Sequence, residues 1–376
     1  MRERRKVIAL VTDAIGPYHH GGKEQRYLEL AHRLAARADV HVYTMNWWRG
    51  GGIRHDRGVT YHAISPLIPL YSGPRRSIRQ AVVFAVCCLR LLFARFDVIE
   101  ADHMPYMQLV PLRLVATLRR RRLVVTWHEY WGPDYWRDYL GSAGAVGWLL
   151  ESLAIRLPDV IIAASPQTAD RLRELTHARV PVVVAPNGID LAAITEIASE
   201  PEGVDVVTVG RLLPHKRVDL LLRALALLRE RGRPLRTLII GSGPQMDALR
   251  LLVSELRIGD LVAFRPDVAS QEVLYAVIKA AKVAVFPSER EGFGIAVLEA
   301  LACGVPVIAT SAPDNLARHL VTRSGRAGLV CEPTPTALAD AIAEVLDRPG
   351  GDEGALDWLR EYDWDAISDS VAAVLS

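Results

Sequence analysis

The chain has 376 residues, half of them apolar and 23% charged, a composition that excludes a disordered or fibrous protein and allows two domains with separate cores. Its net charge of +2 hides an asymmetry: residues 1–190 carry 26 Lys+Arg against 17 Asp+Glu, residues 191–376 carry 19 against 26. Cys87, Cys88, Cys303 and Cys331 form no CxxC pair, so buried free thiols are expected, with neither disulfides nor a zinc site. The basic start MRERRK runs into only a short apolar stretch, Val7–Val11, too short for a signal-peptide core. It is read as a first buried strand, and the protein is expected in the cytoplasm.

From there, short apolar runs alternate with amphipathic stretches. Strands are predicted within 7–12, 39–45, 96–101, 122–128, 159–165 and 180–186, then within 204–210, 236–243, 261–266, 282–288 and 304–310. Between them lie helix-like segments such as Glu24–Arg37 and Val218–Arg231. Strands apolar on both faces, alternating with helices, require parallel sheets covered on either side. Two such sets give two doubly wound α/β domains, residues 1–190 and 191–356, and residues 357–376 form a closing helix.

The loop GPYHHGGKEQR follows the first strand. Gly21 and Gly22 precede a helix starting near Lys23, where backbone N–H groups can approach an anion. The neighbouring His19 and His20 lack metal-ligand spacing and are expected to be exposed. The stretch SIRQAVVFAVCCLRLLFARF is broken by Arg90 and is too short to span a bilayer. It reads either as a buried helix of the first domain or as a surface helix. In the second case it would dock on anionic lipid with Arg75, Arg76, Arg79 and Arg119–Arg122. In TWHEYWGPDYWRDYL, His128 lies at a strand end, where open α/β sheets bind ligands. Its crowded aromatics suit either a sugar acceptor or a local core.

In the second half, VGRLLPHKR places Arg211 just after a strand and Lys216 five residues on. Two cations there can clamp a diphosphate, although structural ion pairs would look alike. IIGSGPQM has two glycines of a dinucleotide fingerprint but Met246 at the third position, which argues against NAD. SEREGFGIAVLEALACGVPV turns from a strand into a helix over Ile295–Cys303. Glu291 stands at its mouth and Glu299 two turns along, about 12 Å apart by helical rise. The N–H groups of Gly292–Ile295 would point at an anion, with one carboxylate for sugar hydroxyls and the other for ribose. Alternatively, Glu291 is a first-turn acid and Glu299 a salt-bridge partner. Asp363-Trp364-Asp365 reads as helix entry, with Asp363 as a cap, rather than as a metal site.

Taken together, the Gly-Gly loop, TWHEY, VAPNGID, VGRLLPHK, GSGP, SEREGFGIAVLEALACGVPVIAT and YDWDAIS resemble, in order, the retaining glycosyltransferases of family 4. That family has GT-B architecture and uses nucleotide sugars. The resemblance implies two Rossmann-like domains facing a central cleft, with the closing helix crossing back to the first domain. It implies catalytic roles for His128, Arg211, Lys216 and Glu291. Donor contacts are implied at Gly21, Gly22, Val268, Gly292, Phe293, Gly294, Ile295 and Glu299. Arg217 and Pro266 stand where the family has glycine, so base and sugar are not carried over.

The expected reaction is metal-independent transfer of a hexosyl group from a nucleoside-diphosphate sugar to a sugar or lipid-linked acceptor. No cofactor is expected beyond the donor, and no nucleic acid, since no recognisable module interleaves basic and aromatic residues. Peripheral contact with an anionic membrane is the further expected partner. The competing readings are a phosphorylase, a nucleotide-sugar epimerase and a non-catalytic nucleotide-sugar-binding protein.

Overall fold

The structure, a computed structural model, describes residues 4–19, 21–72, 75–348 and 357–376. His20 and the segment around residue 356 lie outside the described residues. The chain forms two compact units, one running up to Gly188 and including Trp364–Ser376, the other comprising Ile189–Asp363.

In chain order, the first unit contains β1 (Val7–Val11), α1 (Gly22–Leu34), β2 (Asp39–Met45), β3 (Ile53–Asp56), β4 (Val59–Ser65) and α2 (Ile78–Cys87). Next come β5 (Val98–Asp102), α3 (Leu109–Arg119), β6 (Arg122–Trp127), α4 (Gly132–Leu140), α5 (Gly144–Ala154), β7 (Val160–Ala163), α6 (Pro166–Leu175) and β8 (Val182–Val184). The sheet order is β8-β7-β6-β5-β1-β2-β4-β3, parallel except for β3 against β4. Every residue of β1 is buried, and alternation sends Ala9 and Val11 into one core and Ile8 and Leu10 into the other. The terminal helix Trp364–Leu375 packs Trp364, Ile367 and Val371 into the second of these cores, with Tyr27 and Leu30 of α1.

The β3–β4 hairpin is absent from the predicted elements. Its two-residue turn is Arg57-Gly58, both at positive φ, 44° and 80°. Such turns favour Asn-Gly, and an arginine in the left-handed region carries no sequence signal. The stretch from Ser77 satisfies both of its readings in part. Serine caps α2, which continues as a 3-10 helix over Cys88–Phe93; Phe84, Cys88 and Leu91 are buried while Ile78, Val86 and Phe93 are exposed. All four cysteines are free thiols, but only Cys88 is fully buried.

The second unit contains α7 (Leu191–Glu196), β9 (Val204–Val209), α8 (Val218–Glu230), β10 (Thr237–Ile240), α9 (Met246–Glu255), β11 (Val262–Arg265) and α10 (Gln271–Lys279). It continues with β12 (Ala281–Phe286), α11 (Ile295–Ala302), β13 (Val307–Thr310), α12 (Arg318–Arg323), β14 (Gly328–Cys331) and α13 (Pro335–Asp347). The all-parallel order is β11-β10-β9-β12-β13-β14. Strand order therefore reverses between β9 and β12, and side chains at their carboxyl ends face an open crevice. The half-buried edge strand β14 is absent from the predicted elements. Among the described residues, no helix is long and apolar enough to cross a membrane.

Candidate active site

In the second unit, the carboxyl ends of β9 and β12 open onto a pocket lined by Gly210, Arg211, Lys216, Ser288 and Glu291. Three residues singled out in the sequence thus meet at the point where strand order reverses. Lys216, on a single 3-10 turn over Pro214–Lys216, places Nζ 2.5 Å from Glu291 Oε1. Ser288 Oγ donates to the same oxygen at 2.8 Å. Burial raises the Glu291 carboxyl pKa, but the Lys216 ammonium and the Ser288 hydroxyl outweigh it and hold the group below its usual value.

Glu291 is set by a feature the sequence does not announce. Arg290–Glu291 pairs in parallel with Asp314–Asn315, and Leu316 N donates to Glu291 O at 3.0 Å. Asn315, fully buried, donates to Thr310 O at 3.1 Å, while Thr310 Oγ1 donates to Ser288 O at 2.5 Å. The loop before α11 is thereby clamped from both sides.

The glycines of GSGP serve the same pocket from outside it. A Cβ on Gly241 would lie 2.0 Å from Gly210 O, and one on Gly243 would lie 2.5 Å from Leu212 O. Only bare backbone lets the turn lie against Gly210–Leu212, where Leu212 N donates to Ser242 O at 2.9 Å. That contact holds the Arg211 loop. Arg217, where the family has glycine, adopts φ 49°, the left-handed conformation that explains the family's residue. Here its guanidinium pairs with Asp219, Nε to Oδ1 at 3.1 Å.

Gly294 caps α11 at φ 90°, with Gly292, Gly294 and Ile295 part-exposed. The first N–H groups of an α-helix have no partner within it, so this end favours anions. Phe293 instead turns its ring into the core against Tyr362, centroids 5.8 Å apart. Glu299 is buried and does not line the pocket; Tyr275 donates to its Oε1 at 3.1 Å. Burial pushes its pKa up to about 7 against the bonds from Tyr275 and Gln271. Val268, in the loop after β11, is half-buried against the core that includes Phe293.

In the first unit, strand order reverses between β1 and β5, and a buried charge network fills that position. Asp13, just beyond β1, accepts from Lys23 at 2.7 Å, Arg76 at 2.8 Å and Gln80 at 3.1 Å. Lys23 Nζ also lies 2.6 Å from Asp102 Oδ2, at the end of β5. Gly21 and Gly22 open α1 immediately before this lysine. His128 Nε2 is 3.7 Å from Asp102 Oδ1, beyond hydrogen-bonding distance. Burial holds His128 down to about 3, so its imidazole is neutral at neutral pH. Lys23, Asp13 and Asp102 were not among the sequence candidates, and the basic residue following the glycine pair is the signal that could have found Lys23. Arg26 was missed too: it is fully buried and donates to Pro186 O at 2.5 Å, tying α1 to the VAPNGID segment.

Asp102, His103 and His128 have ligand atoms within 4.8 Å of one another, the one such group among the described residues. The donor set suits an ammonium better than a metal, because Lys23 already neutralises Asp102. In the aromatic segment Trp136 is buried in the core, Tyr130 and Trp131 pack half-buried against it, and Tyr135 stays part-exposed. Glu151, fully buried, accepts from Trp131 N and Trp136 Nε1 at 2.9 Å, from Gly132 N at 3.0 Å and from Tyr106 Oη at 2.8 Å. His19 is not loosely exposed as expected: its Nδ1 lies 3.3 Å from Glu24 Oε1. Trp364 is buried, and Asp363 Oδ2 accepts from Leu191 N at 3.3 Å.

Two doubly wound units with charged side chains gathered at their strand ends define the GT-B class of fold. Residues 20–193 match the family Glycosyltransferase Family 4 and residues 193–357 match Glycosyl transferases group 1. Each unit thus matches a glycosyltransferase family model, and the two together span residues 20–357. It is 32% identical over 248 residues to D-inositol 3-phosphate glycosyltransferase of Actinosynnema mirum, covering 59% of this chain and 58% of that one. With the enzyme of the same name from Pseudarthrobacter chlorophenolicus it is 40% identical over 181 residues, 44% of this chain and 42% of that one. The chain spans about half the length of the curated relatives it matches. Sucrose-phosphate synthase from Thermosynechococcus elongatus superposes with a TM-score of 0.79 at 22% identity, over 98% of both chains. Anabaena HepE in complex with UDP-glucose gives 0.72 at 19% identity, over 98% of this chain and 99% of that one. At these identities the structures attest the shared fold.

Proposed function

We propose that the protein is a retaining, metal-independent glycosyltransferase acting on a nucleoside-diphosphate sugar. The observation that carries the reading is the convergence of Arg211, Lys216 and Glu291 on one pocket at the carboxyl ends of β9 and β12. The relatives' name supports glycosyl transfer, and the UDP-glucose complex of HepE supports the donor class.

In this reading the donor diphosphate lies against Arg211, Lys216 and the start of α11. The bond from the anomeric carbon to the diphosphate oxygen breaks, and negative charge grows on the leaving group. Preorganised cations stabilise that charge more in the transition state than in the ground state. The acceptor oxygen bonds to the same carbon on the same face, and its proton passes to the leaving phosphate oxygen. Atoms and charge balance without a metal. Glu291 takes sugar hydroxyls and Glu299 the ribose, with Val268 near the base and Gly292–Ile295 supplying backbone contacts. In the first unit, Gly21, Gly22 and the neutral imidazole of His128 are proposed as sugar contacts. The acceptor is a sugar or a lipid-linked molecule, the latter placing the protein at the anionic cytoplasmic face of a membrane.

A melting panel of nucleotides and nucleotide sugars tests the donor, since a ligand at one hundred times its Kd stabilises by about 2.7 kcal/mol. The stabilising sugar nucleotide should then release nucleoside diphosphate in the presence of chelator, with the product's anomeric configuration unchanged. Dependence on inorganic phosphate would mark a phosphorylase, and an isomerised donor an epimerase. Binding without turnover would mark a non-catalytic protein.

A further inference from the structure

Among the described residues, twelve of the sixteen exposed large hydrophobic side chains lie on α2 with its 3-10 continuation, α3 and α5. Singly scattered apolar residues need no explanation, but these fall at helical spacing. Ile78, Val82 and Val86 recur every four residues along α2, and Val110, Leu114 and Leu118 do the same along α3. Val146, Leu149 and Leu153 follow the same face of α5. Positions four and eight apart stay on one side of a helix, so each helix has two apolar sides.

The inner sides meet in a single core. Phe84, Leu91, Leu112, Val115 and Ala154 all pack with Ala9 and Ile99 on one face of the first sheet. The outer sides are therefore turned away from the same sheet face. Arg119 joins two of the helices by donating to Leu92 O at 3.1 Å and Ala94 O at 3.2 Å. Tyr106, just before α3, joins it to α5 through Glu151 at 2.8 Å.

Charge selects the occupant. Residues 75–95 and 109–122 contain no Asp or Glu, and the single acid in 144–156, Glu151, is buried. Arg75, Arg79, Arg90, Arg95, Arg119, Arg120 and Arg156 are exposed in and beside these helices, whereas Arg121 turns to Asp97 and Arg122 to Ser376 O of the terminal helix. A second copy docking on this face would set arginine against arginine. An anionic bilayer neutralises the guanidinium groups and takes the apolar side chains into its headgroup boundary, while arginine stems snorkel.

We infer that the outer face of α2, α3 and α5 is a docking surface for an anionic lipid bilayer. This deepens the proposed membrane-side acceptor and rests on that reading only for its purpose, because lipid binding is measured without donor or acceptor. The test is flotation with phosphatidylglycerol–phosphatidylcholine vesicles and with phosphatidylcholine alone, at low and high salt. The full chain should float with the anionic vesicles, less in high salt and less with the neutral ones. Val86→Asp and Leu114→Asp, both at exposed positions, should each weaken anionic-vesicle binding about tenfold or more with an unchanged melting temperature. Nucleoside diphosphate release with a soluble acceptor should stay at the wild-type rate in both, so loss of that activity in the wild type would count against the transfer reading alone. Wild-type protein left at the bottom of the low-salt gradient overturns the inference. So do variants that float like wild type, or sedimentation showing a dimer that Leu114→Asp dissolves.

Discussion

Lys216→Ala separates the two roles of the pocket's ammonium. Lys216 Nζ is 2.5 Å from Glu291 Oε1, with the lysine side chain 25% and the glutamate 15% exposed. That burial lies between exposed pairs, worth about 0–1 kcal/mol, and fully buried ones, whose breaking costs about 3–5 kcal/mol. A loss of roughly 1–2 kcal/mol follows, or about 2–8 °C in the melting temperature of a unit this size. The Ser288 hydroxyl remains on the carboxylate, which limits the damage. Catalysis should suffer far more, because the cation's contact with the departing diphosphate strengthens as charge develops. Turnover should fall by about 10²–10³, the scale for removing one preorganised charge stabiliser. Calorimetry and nucleoside diphosphate release read the two effects independently. Lys216→Met with Glu291→Gln, which removes both charges, should recover most of the stability and none of the turnover. A single variant with wild-type turnover, or a double variant that regains it, would refute the assignment of Lys216 to the departing phosphate.

Two further predictions concern the scaffold. Burial raises the pKa of Glu100 from 4.5 to about 7, although Tyr27 donates to its Oε1 at 2.9 Å. The folded state therefore holds the proton more tightly than the unfolded one. The contribution of Glu100 to stability is greatest below pH 4.5, declines as pH rises towards about 7, and is level above that. The full difference is about 3 kcal/mol at most. Glu100→Gln should remove this slope, and urea unfolding at pH 5 and pH 8 should show a gain for the variant only at the higher pH; parallel profiles would contradict it. Gly294→Ala should destabilise by about 2–5 kcal/mol, combining left-handed strain with overpacking. Its φ is 90° and its Cβ would lie 2.3 Å from that of Ala317. An unchanged urea midpoint would mean that the turn into α11 does not need the glycine.

Local sequence determined the alternating framework and three members of the pocket. Val7–Val11 is apolar on consecutive residues, as a strand buried on both faces requires, so its pattern is legible without partners. Arg211, Lys216 and Glu291 stand at strand-to-helix turns, where a doubly wound sheet must put its ligand groups. Tertiary structure decided what depended on residues distant in the chain. The parallel bridge to Asp314–Asn315 that sets Glu291, the close approach of Gly241 to Gly210, and the Asp13–Lys23–Asp102 network all join separate segments. The stretch from Ile78 to Phe93 shows the division most clearly. Its apolar residues fill both sides of the helix, so composition alone favoured a core helix and still allowed a surface one. Only the sheet beneath it, by taking Phe84, Cys88 and Leu91 and leaving Ile78, Val82 and Val86 outside, decided which side packs. A helix cannot choose its buried face until something is there to bury it against.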